Sequence, residues 1–315
     1  MTSFKDLLQS KKALILHGAL GTELEYKGYD ISGKLWSAKY LLEKPEAIQE
    51  IHEEYVKAGS DLITTSSYQA SIKGLVDYGI TQEEARQVIK SSVEIAKDAI
   101  EKVWSELSED EKASRLYPLI NGDVGPYAGY LADGSEYTGD YGSITKEELK
   151  DFHRERIAIL LEEGSDLLAL ETIPNILEVE ALIELLAEEF ADSEAYLSVT
   201  SQDGKTLSDG TSIEDFMKIV GDSKQILALG LNCSSAKNSD EFLKKLASLT
   251  DKPLVAYPNS GEIYDGATQS WKEDAHACSV VDYSADWLDQ GVKVIGGCCR
   301  TRPSHIEELS KKIKQ

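Results

Sequence analysis

A strand followed by a helix occupies residues 166–189, which read DLLALETIPNILEVEALIELLAEE. The unit opens with a short apolar run, Asp166–Leu170, and continues into an amphipathic helical pattern over Ile176–Glu189. The run is continuously apolar and does not alternate with polar residues, which is typical of a parallel strand covered on both faces. This stretch therefore predicts one βα unit of a parallel sheet.

The same pattern recurs along the whole chain. The predicted strands are Ala13–Leu16, Asp61–Thr65, Leu119–Gly122, Asp166–Leu170, Tyr196–Thr200, Ile226–Leu231, Leu254–Tyr257 and Val292–Ile295. The clearest helices are Pro45–Ala58, Glu83–Trp104, Lys146–Glu163 and Ile176–Glu189, and a last helix is expected to start at an N-cap Ser304, with Glu307 completing a capping box. Eight βα units and no linker predict a single α/β domain over residues 1–315, a (β/α)8 TIM barrel. A doubly wound sheet stays the alternative, because periodicity does not reveal closure.

The net charge of the chain limits the kinds of molecule that it is expected to bind. The chain has 315 residues and a formal net charge of −23, from 33 Lys and Arg against 56 Asp and Glu. Such a surface repels phosphate backbones and anionic lipid, so we expect neither a nucleic acid nor a membrane partner. No apolar run is long enough to span a bilayer, and the first residues contain no signal-peptide core. We therefore expect a cytoplasmic protein; its oligomeric state is not predicted.

The four cysteines are the residues that most directly indicate the chemistry of the site. In a reducing cytosol we expect them to be metal ligands, reactive groups or core residues and not cross-links. Cys233 follows the sixth predicted strand, and Cys298 and Cys299 follow the eighth, after Gly296-Gly297. Strand ends meet at one face of a barrel, and the glycines are expected to give the backbone the freedom to turn both thiols to one point. For the Cys298-Cys299 pair taken alone, the simple alternative is two small buried hydrophobic residues. Cys278, near a helix start, is assigned to packing.

Three thiolates predict Zn²⁺ with one open coordination place. Three negative ligands weaken the Lewis acidity of the metal, so a soft substrate atom such as a thiol suits the fourth place better than water. Zinc would lower the pKa of that thiol and so provide the nucleophilic thiolate at neutral pH. Attack of a thiolate on a sulfonium methyl group annihilates charge, which a dry cavity accelerates.

The chain resembles the homocysteine S-methyltransferases, most closely their S-methylmethionine-dependent branch. The resemblance runs essentially end to end, and the residues that carry it are Gly21-Thr22-Glu23-Leu24-Glu25, Leu35-Trp36-Ser37-Ala38-Lys39, Ser67-Tyr68-Gln69-Ala70, Val124-Gly125-Pro126-Tyr127, Leu131–Tyr137, Glu171–Asn175, Asn232-Cys233, Tyr257–Glu262 and Gly296–Thr301. It implies a zinc-dependent barrel that transfers a methyl group from S-methyl-L-methionine to L-homocysteine. S-adenosyl-L-methionine would be a poorer donor.

The resemblance also implies roles for single residues. It places the zinc ligands at Cys233, Cys298 and Cys299, and the ammonium-binding carboxylate at Glu171. Further substrate contacts are expected from Asn232, Gln69, Ser260 and Glu262, and from the aromatic residues Trp36, Tyr68 and Tyr127, whose rings suit a sulfonium ion.

One position departs from the family pattern: His17 stands where the family usually has an aspartate that helps to hold the homocysteine amino group. A neutral imidazole supplies no fixed negative charge. The expectation is either an altered amine site or a tolerated exchange in which Glu171 suffices.

Two other function classes fit parts of the pattern. A retaining glycoside hydrolase would use Glu171 and Glu262 as its carboxylate pair, but it has no use for three thiols. A non-catalytic zinc- or thiol-binding protein would share the cysteines, but it gives no reason for the long segment between Gly122 and Ser143.

Overall fold

The computed structural model describes residues 2–261, 263–265, 270–272 and 279–314. The strands are β1 (Leu14–Ile15), β2 (Leu62–Thr64), β3 (Leu119–Val124), β4 (Leu167–Ile173), β5 (Ala195–Val199), β6 (Ile226–Asn232), β7 (Leu254–Tyr257), β8 (Ile263–Asp265), β9 (Ser270–Lys272) and β10 (Val292–Ile295). All except β8 and β9 form one parallel sheet in the order β1-β10-β7-β6-β5-β4-β3-β2, while β8 and β9 pair as an antiparallel hairpin. A parallel bridge between Leu16 and Leu62 joins the two edges. The predicted (β/α)8 barrel is confirmed.

Helices separate the strands and cover the outside of the sheet. The α-helices are α1 (Phe4–Ser10), α2 (Gly21–Tyr26), α3 (Tyr40–Glu43), α4 (Pro45–Ala58), α5 (Ile72–Tyr78), α6 (Gln82–Glu106), α7 (Glu109–Ser114), α8 (Tyr127–Leu131), α9 (Lys146–Glu162), α10 (Ile176–Glu189), α11 (Ile213–Val220), α12 (Ala236–Ala247), α13 (Val280–Asp289) and α14 (Pro303–Lys314). Short 3-10 turns lie at Trp36–Lys39 and Ser135–Tyr137. Within the described part of the chain, the helices all lack the combination of length and hydropathy that crossing a membrane requires.

The continuous apolar runs are explained by two separate packing layers. On β4, Leu167 and Ala169 belong to the cluster inside the barrel, whereas Leu168 and Leu170 belong to the larger cluster between sheet and helices. Successive side chains of a strand point to opposite faces, so both faces of β4 are apolar and no alternation remains in the sequence. The residue that follows Ala169 on the inner face is Glu171.

The N-terminal helix covers the end of the barrel opposite the strand carboxyl ends. Phe4, Leu7 and Leu8 of α1 are buried in the inner cluster. The ring of Phe4 lies 6.4 Å from the ring of Tyr196, an inner residue of β5. The interior is therefore closed at this end by apolar side chains.

One local prediction is wrong. The last helix begins at Pro303, so Ser304 lies inside its first turn and is not the N-cap. Proline is favoured at the first helical position because its missing N–H would have no partner there. The long segment from Gly122 to Ser143 contains the end of β3, the short helix α8 and a 3-10 turn.

Candidate functional site

A cavity of about 770 Å³ opens at the carboxyl ends of the strands. This is within the range of roughly 300–1,000 Å³ typical of small-molecule sites, and strand carboxyl ends are where barrels place their active sites. Of the residues expected from the sequence, the cavity is lined by His17, Trp36, Tyr68, Gln69, Glu171, Cys233, Cys298 and Cys299.

The three strand-end cysteines come together in this cavity. Their Sγ atoms all lie within 4.8 Å of one another. A zinc–sulfur bond of about 2.3 Å and tetrahedral angles place two sulfur ligands about 3.8 Å apart, so three sulfurs that converge this closely are within reach of one ion. Burial raises the pKa of the Cys299 thiol to about 12, so this residue is a neutral thiol until a cation binds beside it.

Tight backbone packing positions these cysteines. Neither Gly296 nor Gly297 has a positive φ angle, so the expected conformational freedom is not their role. A Cβ on Gly297 would lie 2.2 Å from side-chain atoms of Thr301, and a Cβ on Gly296 would lie 2.7 Å from the Cβ of Leu16. The glycines are therefore required for space. The left-handed backbone angles fall on Cys233, at φ 46°, and on Arg300, at φ 66°.

Cys233 and Cys298 are joined by a disulfide in this structure, with their Cα atoms 5.4 Å apart. This corrects the expectation that the cysteines form no cross-link. The reason is geometric, because the convergence that lets two sulfurs share a metal also brings them within bonding reach when oxidised. Cys299 is free. Metal binding by all three residues therefore requires the reduced pair.

Glu171 reaches the cavity from β4. The Tyr257 hydroxyl donates a hydrogen bond of 3.1 Å to its carboxylate. Burial raises the pKa of Glu171 to about 7, and the bond from Tyr257 opposes this rise. A carboxylate in such surroundings is stabilised by any cation that enters the cavity.

Asn232 does not line the cavity and instead fixes the residue after Glu171. Its amide donates to the Thr172 hydroxyl at 2.7 Å and accepts from the Thr172 backbone N–H at 2.9 Å. Thr172 has a φ of 62°, a costly angle for a β-branched residue. Asn232 thus holds a strained strand end in place, and its amide also accepts a bond of 2.9 Å from Ser198.

Aromatic and amide side chains form part of the cavity wall. The rings of Trp36 and Tyr68 meet edge to face with centroids 6.5 Å apart. Gln69 donates to the Gly129 carbonyl at 3.3 Å, while its own side-chain carbonyl is buried without a hydrogen-bond partner. The wall therefore offers both π faces and an unused acceptor.

Three other expected contacts lie outside the cavity or outside the described residues. Tyr127 packs its ring against Tyr130, Tyr141 and Phe152 and is not a lining residue. Ser260 donates its backbone N–H to the Cys299 carbonyl at 3.0 Å, next to the cysteines but not in the lining. Glu262 and Cys278 lie outside the residues that the structure describes.

His17 lines the cavity and contacts α4 with its ring. Its ring centroid is 5.4 Å from that of Tyr55 and 6.5 Å from that of His52. Burial lowers the pKa of His17 to about 4 and that of His52 to about 3, so both imidazoles are neutral at pH 7. The end of β1 thus supplies no charge to the cavity.

Charge in the cavity is one-sided. The described lining contains six carboxylates and neither lysine nor arginine; the carboxylates are Glu25, Asp30, Asp123, Asp133, Glu136 and Glu171. Sequence reasoning did not select Asp123 or Glu136, although Asp123 directly follows the third predicted strand. Its place at a strand end, shared with Glu171, is the signal that identifies it.

The half-buried carboxylate of Glu171 is expected to make the stability of the fold depend on pH. Its pKa is about 7 in the folded chain and 4.5 ordinarily, so protonation stabilises the fold, fully below about pH 4.5, and this contribution is lost as the pH rises through 7. We expect Glu171→Gln to match the wild type in thermal unfolding at pH 5 and to exceed it at pH 8, by at most about 3 kcal/mol. Glu241→Gln, an exposed change on α12, is the control and should leave the difference near zero at both pH values. A constant offset for Glu171→Gln across this range would contradict the prediction.

Comparisons with known proteins agree with this geometry. A family model described as homocysteine S-methyltransferase matches residues 14–313. The chain is 41% identical over 310 residues to homocysteine S-methyltransferase YbgG of Bacillus subtilis (strain 168), covering 98% of this chain and 97% of that protein. The homocysteine methyltransferase MmuM from Escherichia coli, in its metallated crystal form, matches with a TM-score of 0.86 and 41% identity over 97% of this chain and 98% of that one. Its oxidised crystal form matches over the same shares with a TM-score of 0.85 and 41% identity.

These similarities cover almost the full length of each protein. Enzymes of this kind act on a thiol, which suits a cavity where three sulfurs converge. The chain therefore belongs to the homocysteine S-methyltransferase family.

Proposed function

We propose that this enzyme uses zinc, bound by Cys233, Cys298 and Cys299, to transfer a methyl group from S-methyl-L-methionine to L-homocysteine, forming L-methionine. S-adenosyl-L-methionine is the poorer donor in this proposal. One observation carries it: three Sγ atoms within 4.8 Å of one another face a cavity whose described charged side chains are all carboxylates. The glycoside hydrolase and non-catalytic alternatives find no support in the family membership.

The donor set favours zinc. Three thiolates suit a soft or borderline ion, and an all-sulfur set excludes the hard cations Mg²⁺ and Ca²⁺. When bound, zinc would lower the pKa of the substrate thiol and keep its thiolate in the cavity at neutral pH. The metallated crystal form of MmuM supports a metal site in this family.

The carboxylates favour a cationic donor. S-methylmethionine carries an ammonium group, a sulfonium group and one carboxylate, so its net charge is +1. A cavity lined by six carboxylates, in a chain of formal net charge −23, attracts such a molecule and raises its local concentration. The choice between the two sulfonium donors rests on the resemblance to the S-methylmethionine-dependent branch.

The chain's own residues bind and orient the two substrates. The faces of Trp36 and Tyr68 suit a sulfonium ion, and Glu171 suits an ammonium group. In the transfer, the homocysteine thiolate forms a bond to the methyl carbon while the bond from that carbon to the sulfonium sulfur breaks. The bonding electron pair stays on the donor sulfur, and both products are neutral thioethers. Opposite charges disappear in this step, so transfer of the reacting sulfurs from water into the cavity favours it.

The compartment follows from the thiols. Cys233 and Cys298 must be reduced to hold a metal, and the cytoplasm keeps thiols reduced. We therefore propose that the enzyme forms methionine in the cytoplasm.

An assay of purified, reduced and zinc-loaded protein tests the proposal. We expect methionine formation from homocysteine with S-methylmethionine, and a kcat/KM at least about tenfold lower with S-adenosylmethionine, a difference of about 1.4 kcal/mol. Protein that has been oxidised before zinc is added should bind less metal and recover both metal and activity after reduction. Turnover that is unaffected by a chelator would contradict the zinc assignment, and the absence of methionine with both donors would contradict the reaction.

A further inference from the structure

Asp123 is a cavity carboxylate to which the proposed function assigns no specific contact. Asp123 lies at the end of β3 and is 4% exposed. Its Oδ1 atom is buried and has no hydrogen-bond partner in the described structure. An ionisable oxygen left in this way is costly unless a ligand completes its bonding.

The register of the sheet brings Asp123 beside Glu171. Asp123 pairs with Ala169 across β3 and β4. Ala169 faces the inside of the barrel, and Glu171 is the next inner residue along β4. Two neighbouring strands therefore each present a carboxylate to the same end of the interior, and both line the cavity.

No cation of the described chain is hydrogen-bonded to Asp123. The nearest candidate is the buried Arg156, whose guanidinium donates to the backbone carbonyls of Tyr68, at 3.1 Å, and Gly125, at 2.5 Å. It also contacts His153 Nδ1 at 2.9 Å. The positive charge of Arg156 thus acts on the Asp123 carboxylate without a hydrogen bond to it. Burial, and then the charge of Glu171, raise the pKa of Asp123 well above its usual range.

A small cation with several N–H donors can bind Asp123 and Glu171 together. An α-ammonium carries three donors and a positive charge, so it satisfies an acceptor on each strand and relieves their repulsion. In homocysteine only three carbons separate this nitrogen from the sulfur. Glu171 and the cysteines line the same cavity, and the charge of Glu171 acts on Cys299. A thiol substrate whose sulfur lies at the cysteines is therefore expected to direct its ammonium toward Glu171.

We propose that Asp123 is a substrate-binding residue, which together with Glu171 binds the α-ammonium of the thiol substrate. This inference rests on the proposed function. It also explains how the cavity keeps two carboxylates for the amine although His17, at the end of β1, is neutral and packed against α4. The negative charge comes from the end of β3 instead.

Steady-state kinetics of Asp123→Asn test the assignment, with homocysteine and with 4-mercaptobutyrate, which has the same thiol and carboxylate but no amino group. A lost bond to a charged group corresponds to about a tenfold to hundredfold weaker interaction. We therefore expect the KM for homocysteine to rise by about that factor, with kcat and the KM for S-methylmethionine changed less than about threefold. The wild type should prefer homocysteine to 4-mercaptobutyrate, and the variant should lose most of this preference.

Controls separate binding from folding. Asp166→Asn removes a partly buried carboxylate at the opposite end of β4, where it accepts from the Ile120 N–H at 2.7 Å, and should leave the preference intact. Asp123→Ser serves as the second variant if Asp123→Asn folds poorly, as judged by zinc content and thermal unfolding. An unchanged KM for homocysteine, an equal loss with both thiols, or a rise confined to the donor would overturn the inference. Failure of the wild type to methylate any thiol would instead refute the proposed function.

Discussion

Cys298→Ser is expected to lose both bound zinc and methyl transfer. Its sulfur is one of three Sγ atoms within 4.8 Å of one another, and two ligands hold an ion far less well than three. We expect the metal content of the reduced protein to fall from one ion per chain to nearly none. Activity should fall by more than about a hundredfold, the upper end of what a lost partner of a metal ligand costs.

Metal analysis and methionine formation on the same preparations check this result. Cys278→Ser is the matched control, because it removes the one cysteine that the sequence assigns to packing, and it should keep metal and activity. Loss of activity by Cys298→Ser with the zinc retained would contradict the ligand assignment. The wild type and Cys278→Ser must be reduced beforehand, since their Cys298 otherwise forms the disulfide with Cys233.

Glu178→Ala should produce the largest loss of stability. Glu178 on α10 is fully buried; it accepts from the Tyr127 N–H at 2.6 Å and contacts His153 Nε2 at 2.8 Å. Arg156, also buried, lies on the other side of His153. Removing the carboxylate leaves the Tyr127 N–H, the Tyr141 hydroxyl and His153 without their acceptor and takes away one of the two carboxylates that act on the charge of Arg156. We expect these buried losses together to cost about 3–5 kcal/mol.

Urea unfolding measures this change. Glu307→Ala breaks an exposed ion pair with Lys311 on α14 and serves as the control, with an expected loss of at most about 1 kcal/mol. An unfolding midpoint for Glu178→Ala equal to that of the control would contradict the prediction. Since Tyr127 and the Tyr141 hydroxyl both donate to Glu178, the segment between β3 and α9 should also become more accessible to protease in this variant.

The sheet could be predicted because its strands are apolar on both faces. β7 and β10 have the predicted bounds, and β4 continues three residues beyond its predicted end. That extension contains Glu171 and Thr172, which are polar because they face the cavity and bond to Asn232, not because the strand has ended. Hydropathy patterns therefore place a strand well but shorten it at a functional end.

The convergence of the cysteines was predictable for the same reason, since it needs only the strand order and the rule that strand ends share one face. The partners of buried polar groups were not. His153 and Glu178 are 25 residues apart and Asn232 and Thr172 are 60 apart. Nothing in their local sequence shows that Asn232 holds a strand end and does not face the substrate, because an amide serves either purpose equally well.

The first helix of the chain has a practical consequence. Phe4, Leu7 and Leu8 fill the base of the barrel, and Lys5 donates its N–H to Glu194 at 3.0 Å. In a polypeptide trimmed to begin at Lys11, the base of the barrel below Tyr196 would be open. Solvent would then reach the apolar interior. The amino-terminal residues thus close the base of the barrel, and an affinity tag is better attached at the carboxyl terminus.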